Sequence, residues 1–339
     1  MRIMQHGARV LGIESTAHTF SASVVTEKDG VVTNAKDVYM PREGSGIHPA
    51  EAAEHHLSVA VRVVREALVR KNERGSGIDE IDAIAYSMGP GLGPCLRVGA
   101  VTARTLSLST GKPLVAVNHA VGHIELGCLL TGAKSPLVLL ISGGHTMVVA
   151  HSNGVWRVLG ETLDLTLGQL LDQMGRYVGF ASPCGRRIEE AAAKSNRYLK
   201  LPYTVKGNDV SFSGVLTAAK KLVEGGASFE DVCYSLQETA FAITTEVTER
   251  ALAFTGAREL LVVGGVAANR RLSDMLEVMA RRHKASVKVV PPQFSGDCGA
   301  QIAWTGLLAF RAGEFLPKIA DSVVRQSWRL DTVPTPWRS

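Results

Sequence analysis

The sequence lacks the paired cysteines of a zinc ribbon, a redox motif or a disulfide-rich domain. Its five cysteines are scattered over 339 residues, and no C-x-x-C spacing occurs. Apolar runs stay shorter than the roughly 18 residues that a membrane-spanning helix needs, and the first residues contain no apolar signal-peptide core. These absences favour a soluble, cytoplasmic protein with reduced thiols and no membrane segment.

Charge of either sign is also scarce. Lysine and arginine total 37 and aspartate and glutamate 32, which gives a formal net charge of +5. With 45% hydrophobic and only 20% charged residues, the composition indicates a globular rather than a disordered protein. The length exceeds what a single core usually supports, so we expect two domains. The small basic excess is compatible with a nucleic-acid partner but does not indicate one.

Two parts of the chain resemble each other. The turn at residues 15–19, Ser-Thr-Ala-His-Thr, is echoed at residues 142–146, Ser-Gly-Gly-His-Thr, and each lies between segments that predict a β-hairpin. A strand–glycine–helix pattern at residues 85–97 has a similar counterpart at residues 261–270. Short turns can match by chance, but two matching pairs in the same order favour two copies of one α/β unit.

The repeat predicts an α/β fold of two lobes. The first lobe is expected to span residues 1–134 and to be completed by helices at about 300–339, and the second to span 135–299. Backbone N–H groups of the two small polar turns could face each other and hold phosphate oxygens. This architecture, with a nucleotide cleft between its lobes, resembles the actin, Hsp70 and sugar-kinase (ASKHA) superfamily.

A helix is predicted over residues 50–74, because apolar residues recur there at spacings of three and four. We expect this stripe to face the core. Its members are Leu57, Ala60, Val61, Val64 and Leu68.

Two histidines four residues apart, His119 and His123, predict a metal site. On one face of a helix their Cβ atoms would lie about 5–6 Å apart, and two imidazoles can hold one metal ion with a further ligand from elsewhere. A zinc protease would need glutamate directly after the first histidine, where this chain has Ala120. Asp297, just ahead of an apolar helix, is a candidate third ligand. The alternative is that all three side chains only cap helix starts.

Further polar residues are candidates for contacts with a nucleotide or with nucleic acid. Asp172 and Glu189 could accept hydrogen bonds from a ribose, and Asn269 could cap a helix or contact a base or sugar; solvated helix faces are the alternative. A basic surface for nucleic acid is equally well explained as a solvated helix face. Its candidates are Arg270, Arg271, Arg281, Arg282 and Lys284.

Taken in order, these motifs resemble the TsaD/Kae family, enzymes of tRNA N6-threonylcarbamoyladenosine formation. The resemblance extends from about residue 10 to 337, and no single motif would suffice. Details at residues 96–99 and 234–241 are similar to the archaeal and eukaryotic branch. The segments that carry the resemblance are 12–19, 88–94, 118–125, 142–144, 160–164, 264–267 and Asn269.

The resemblance implies one divalent ion, iron or zinc, on His119, His123 and Asp297. It implies an acyl-type transfer from threonylcarbamoyl-adenylate, an ATP/AMP-type nucleotide, to tRNA, together with kinase-like and small accessory partner subunits. It also implies two sets of substrate-binding positions. These are the loop residues Leu140, Ile141, Ser142, Gly143 and Gly144, and the nucleotide- or intermediate-binding residues Asp172, Gly185, Glu189 and Asn269.

The chain departs from the archaeal pattern at four places. Leu140 stands where that branch has a tyrosine ligand, and leucine cannot coordinate a metal. His145 stands where it has asparagine, Pro-Cys-Gly-Arg-Arg at residues 183–187 replaces Pro-Gly-Gly-Pro-Lys, and Cys298 replaces an asparagine after Asp297. A diverged copy with altered activity is therefore one alternative. The others are an ATP-dependent small-molecule kinase of the same fold and a non-catalytic nucleotide-binding scaffold subunit. The sequence identifies no general base.

Overall fold

Two mixed β-sheets, each covered by helices, and a small two-stranded antiparallel sheet are found in this computed structural model, which describes residues 7–42, 44–69 and 77–338. The strands are β1 (Arg9–Glu14), β2 (Thr19–Thr26), β3 (Gly30–Val31), β4 (Ala35–Val38), β5 (Ala83–Gly89), β6 (Leu114–Asn118), β7 (Leu137–Ile141), β8 (Thr146–Ser152), β9 (Val155–Glu161), β10 (Val205–Lys206), β11 (Asp209–Val210), β12 (Glu259–Val263) and β13 (Ser286–Val289). The helices are α1 (Pro49–Leu68), α2 (Gly93–Thr110), α3 (His119–Thr131), α4 (Leu167–Tyr177), α5 (Gly185–Ala192), α6 (Ser213–Glu224), α7 (Phe229–Thr255), α8 (Arg270–Arg282), α9 (Pro292–Ser295) and α10 (Gly299–Arg311).

The two sheets share one strand order, which confirms the predicted duplication. The first sheet runs β3-β2-β1-β5-β6, and β4 also pairs with β2; the second runs β9-β8-β7-β12-β13. In each, the opening strands form an antiparallel hairpin, and the first strand pairs in parallel with the strand of the later strand–glycine–helix unit. Equivalent turns, at residues 15–18 and 142–145, therefore lie at equivalent ends of the two sheets.

The C-terminal helix α10 packs on the first sheet rather than on the second. A Cβ atom on Gly12 in β1 would lie only 2.2 Å from the backbone nitrogen of Ala303 in α10, and one on Gly306 would lie 2.3 Å from the Cβ of Ala85 in β5. Only glycine permits such close approach. The contact agrees with a first lobe that is completed from the C-terminus, while the boundaries at 134 and 299 stay predictions.

Helix α1 buries a different face from the one predicted. Leu57 is 66% exposed and Val61 63% exposed, although Ala60 and Val64 are buried as expected. The helix packs against β2 and α2 mainly through alanines, and His56 occupies a fully buried position. Small side chains allow this close packing and leave the larger apolar ones outside. The predicted extension of the helix over residues 70–74 lies outside the described residues.

The C-terminal segment 323–338 crosses from the first sheet to the second. Near its start, the backbone N–H of Arg325 donates to the carbonyl of Met88 at the end of β5, at 2.8 Å. Further along, the N–H of Thr335 donates to the carbonyl of Gly154, in the β8–β9 turn, at 2.8 Å. The segment thus ties both sheets together through backbone hydrogen bonds.

The same segment ends on α3. The guanidinium of Arg338 donates to both carboxylate oxygens of Glu125, at 2.6 and 2.7 Å, and lies over the Trp156 ring. The side chain of Glu125 is 3% exposed and that of Arg338 13%. Because Trp156 also donates its indole N–H to Glu125, this carboxylate is fully dependent on partners from outside its own helix.

Removing the guanidinium should destabilise the fold strongly. Arg338→Ala leaves the buried Glu125 carboxylate with the Trp156 N–H but without an opposite charge, and breaking a buried ion pair in this way typically costs about 3–5 kcal/mol. We expect that loss in the free energy of unfolding measured by denaturant titration. Arg329→Ala is the matched control, because Arg329 is 54% exposed and its pair with Glu161 should contribute less than about 1 kcal/mol. Equal losses for the two variants would contradict the assignment, and Glu125→Gln should recover part of the Arg338→Ala loss.

Two features that the sequence predicted to be absent concern membrane segments and disulfides. None of the helices in the described part of the chain combines the length and the apolar character that crossing a membrane requires. All five cysteines are buried and free, which agrees with the expected absence of a disulfide framework.

Candidate active site

The histidine pair lies at the start of α3, and the start of this helix is already capped. The carboxamide oxygen of Asn118 accepts hydrogen bonds from the backbone N–H groups of Ala120 and Val121, at 3.0 and 3.2 Å. The amide nitrogen of Asn118 donates to the carbonyl of Trp328. Capping by Asn118 satisfies the first turn, so His119 and His123 are not needed for it.

The structure brings His119, His123 and Asp297 together. The Nε2 atoms of the two imidazoles lie 3.5 and 3.3 Å from the same oxygen of Asp297, and one ligand atom from each of the three side chains lies within 4.8 Å of the others. The Nε2 of His123 is buried, and despite this short distance it makes no hydrogen bond with any described residue. Helix α10 begins at Gly299 with Cys298 as its N-cap, so Asp297 does not act as the cap.

Glu14, at the end of β1, orients the first imidazole. Its carboxylate accepts the Nδ1–H of His119 at 2.9 Å and the backbone N–H of Thr16 at 2.6 Å. The amide of Gln301 from α10 also lies 3.0 Å from the same Nδ1. In the neutral imidazole, a proton held on Nδ1 leaves a lone pair on Nε2, on the side of Asp297, and this is the tautomer that a metal ligand requires.

The buried charges shift the pKa values of the cluster in opposite directions. Burial alone would lower the pKa of His119, but the carboxylates of Glu14 and Asp297 outweigh it and raise that pKa to about 9. Burial lowers the pKa of His123. Burial also opposes the charged form of Asp297, yet the two imidazoles hold the pKa of this carboxyl below its usual range. The cluster therefore favours positive charge at the point where the three side chains converge.

Weakening the bond between Glu14 and His119 should weaken metal binding. Glu14→Gln keeps the shape of the side chain but removes its charge. Because partners of this kind typically contribute 10- to 100-fold to metal affinity, we expect a loss of about that size for Zn²⁺ or Co²⁺ measured by calorimetric titration. Glu66→Gln, at an exposed carboxylate on α1, is the control. Unchanged affinity in Glu14→Gln would show that the carboxylate does not support the site.

The loop 140–144 connects the second sheet to this cluster. Leu140 is fully buried in an apolar core and has no polar atom to offer, so it does not replace a metal ligand. Ser142 is largely engaged within the turn, because its hydroxyl oxygen accepts the N–H groups of Gly144 and His145 at 3.2 and 3.1 Å. Gly143 and Gly144 are exposed, and a Cβ atom on either would meet nothing within 4 Å. The loop therefore leaves open space beside its backbone.

The remaining nucleotide candidates lie around α5 and the start of α8. Asp172 accepts hydrogen bonds from the Ser182 hydroxyl at 2.7 Å and from the Cys184 N–H at 3.0 Å, just before Gly185. Glu189 accepts the backbone N–H of residue 270 at 2.9 Å. Both carboxylates thus have protein partners here, and their contact with a ribose stays a prediction.

Asn269 is the N-cap of α8. Its carboxamide oxygen accepts the N–H of Leu272 at 3.2 Å, and its amide nitrogen donates to Gln237 at 3.0 Å. The capping alternative raised by the sequence is therefore correct for this side chain. A nucleotide that contacts the Asn269 side chain would have to do so alongside these two hydrogen bonds.

The basic residues proposed for nucleic acid are spread along α8 and into the residues that directly follow it. Arg271 pairs with Glu238 through two contacts of 2.6 Å. Arg281 and Arg282 lie in the last turn of α8, about 15–18 Å along the helix from its start. Only Arg270 adjoins the nucleotide candidates, since its N–H binds Glu189.

Sequence reasoning gave no role to Glu14, Gln301 or His145. Glu14 carried a signal, because an ionisable residue directly after an apolar strand must find a partner once it is buried. Gln301 carried none, since the contact depends on how α10 packs on the first sheet. His145 lies with its ring stacked on that of His119, at 6.1 Å between centroids. Burial and the neighbouring imidazoles lower its pKa to about 3.

Fold and site together define a class. Two duplicated α/β lobes with a polar cluster where they meet are the architecture of the ASKHA superfamily. The solved structure of HypF from T. kodakarensis superposes with a TM-score of 0.63 at 14% identity, covering 91% of this chain and 48% of that one. At this identity the similarity supports the fold alone.

The family follows from closer relatives. The sequence pattern of the TsaD family, tRNA N6-adenosine threonylcarbamoyltransferase, matches residues 30–304. A protein of that name from Caldivirga maquilingensis is 50% identical over 328 residues, which cover 97% of this chain and 98% of the relative. A probable bifunctional tRNA threonylcarbamoyladenosine biosynthesis protein from Methanothermobacter thermautotrophicus is 48% identical over 96% of this chain but only 60% of its own length. The chain belongs to the TsaD family of tRNA N6-adenosine threonylcarbamoyltransferases, as its motifs predicted.

Proposed function

We propose that this transferase moves the threonylcarbamoyl group from threonylcarbamoyl-adenylate to N6 of the adenosine next to the anticodon in tRNA. The N6 amine forms a new bond to the carbamoyl carbon and gives up one proton, and the bond between that carbon and the phosphate oxygen breaks, so AMP leaves. The observation that carries the proposal is the convergence of His119, His123 and Asp297 in a chain of this family.

The donor set fits a divalent iron or zinc ion. Two imidazoles and one carboxylate are ligands that both ions accept. With neutral imidazoles, Glu14 and Asp297 would leave two negative charges in a largely buried cluster, which is costly unless they are balanced. The buried Nε2 of His123 also has no hydrogen-bond partner among the described residues. An ion held there would polarise the carbonyl of the acyl group as a Lewis acid.

The chain's own residues would bind and orient the reactants. We infer that the open space beside Gly143 and Gly144 receives the adenylate phosphate, and that Asp172, Gly185, Glu189 and Asn269 line the nucleotide. Most of the rate would come from positioning and from electrostatic stabilisation of the developing charge. The Methanothermobacter relative is named bifunctional and extends beyond the matched part, which supports the inference that partner subunits, kinase-like and small accessory ones, act beside this chain on tRNA.

Family membership argues against the rival functions. An ATP-dependent small-molecule kinase of the same fold needs phosphate and Mg²⁺ sites but no buried histidine pair. A non-catalytic scaffold would not need Glu14 to hold His119 in the ligand tautomer. Buried ionisable groups with shifted pKa values concentrate at functional sites, so the cluster favours a transferase.

Replacing the first histidine tests the proposal. His119→Ala removes one ligand and should lower both metal content, measured by elemental analysis, and modified nucleoside, measured by mass spectrometry of tRNA after reaction with partner proteins, ATP, bicarbonate and threonine. We expect product to fall at least about 100-fold, because the interactions lost act on the developing charge.

His283→Ala is the matched control, because His283 pairs with Glu249 outside the cluster. Circular dichroism should show that both variants stay folded. Undiminished product in folded His119→Ala would refute the metal-assisted mechanism, and normal assembly with partners together with full tRNA modification would favour the scaffold alternative.

A further inference from the structure

His145 has a buried polar atom with no partner in the folded chain. Its Nδ1 is shielded from solvent and forms no hydrogen bond with any of the residues described. A buried donor or acceptor that is left without a partner destabilises the folded chain. Such an atom beside a cluster of candidate ligands indicates a bond that forms only when a ligand is present.

The backbone holds this side chain in place. The N–H of His145 donates to the Ser142 hydroxyl at 3.1 Å, and its carbonyl accepts the Ser142 N–H at 2.8 Å. The imidazole then stacks on His119 with an angle of 27° between the rings. The ring is therefore fixed against the cluster by the loop that follows β7.

The geometry argues against His145 as a further metal ligand. The ring of His145 lies beside that of His119, with 6.1 Å between the ring centroids. In keeping with this, the described residues that converge within 4.8 Å are His119, His123 and Asp297, without His145. His145 thus lies next to the candidate ligands without being one of the three that converge.

Building on the proposed function, we propose that His145 is a catalytic residue whose Nδ1–H donates a hydrogen bond to an oxygen of the acyl-adenylate. That oxygen belongs either to the reacting carbonyl or to the phosphate. A donor to the carbonyl stabilises the charge that develops there during transfer, whereas a donor to the phosphate strengthens binding of the nucleotide. Both contacts need the same donor at the same place.

Three substitutions separate the two ring nitrogens. The amide nitrogen of His145→Asn is as many bonds from Cβ as Nδ1, and that of His145→Gln is as many as Nε2; His145→Ala has neither donor. We expect His145→Ala and His145→Gln to lower kcat/KM about 10- to 100-fold. His145→Asn should stay within about threefold of the unchanged protein, since it keeps the hydrogen bond.

Two binding measurements with full-length protein complement the kinetics. Co²⁺ affinity and the Co²⁺ absorption spectrum should be the same in His145→Ala as in the unchanged chain, because His145 is not a ligand. AMP is the probe for the phosphate. Weaker AMP binding in His145→Ala assigns the contact to the phosphate, while unchanged AMP binding with a lower kcat assigns it to the carbonyl.

Three results would overturn the proposal. They are full activity of His145→Ala, loss of Co²⁺ from His145→Ala, and an Asn variant as defective as the Ala variant. The unchanged chain, assayed in parallel, separates this proposal from the one on which it rests. If it modifies no tRNA with its partners present, the proposed function fails, and Co²⁺ retention in His145→Ala still decides whether His145 is a ligand.

Discussion

Charge balance in a nearly dry cluster is the constraint on which the rest of the site depends. Glu14 is fully buried and Asp297 is 15% exposed in its side chain, so the pair is tolerable only if positive charge lies between them. In the chain alone that charge is a proton on His119, whose pKa rises to about 9. A divalent ion would replace the proton and balance both carboxylates, so the same geometry that stabilises an imidazolium favours a cation.

Duplication explains how distant residues reach one point. The strands of the first hairpin in each sheet are joined by a polar turn. Helix α3 lies between the sheets, with Gly122 close to α10 on one side and Gly127 close to β12 on the other. Neither glycine could carry a side chain without displacing its neighbour. Close packing on both faces therefore fixes the helix that presents His119 and His123, and the pair of Arg338 with Glu125 holds the same helix at its middle.

Residue types and spacing predicted the repeat, the family and the three members of the cluster, because each depends on local pattern. They did not predict which side chains contact one another, because such contacts depend on how the helices and strands pack. Leu57 and Val61 fitted a helical stripe as well as the buried alanines did, and only packing against β2 and α2 decides which face is covered. Likewise Asp172 looked free for a ribose, while the fold gives it Ser182 and Cys184 as partners.

The repeat also places two histidines in equivalent positions, since His18 and His145 end the matching turns. The Nδ1 of each is buried without a hydrogen bond to any described residue, and both influence Asp297 or are influenced by it. Structural histidines in a core are normally satisfied. Two unsatisfied ones, at equivalent places in the two turns, indicate that these turns are shaped for a polar ligand.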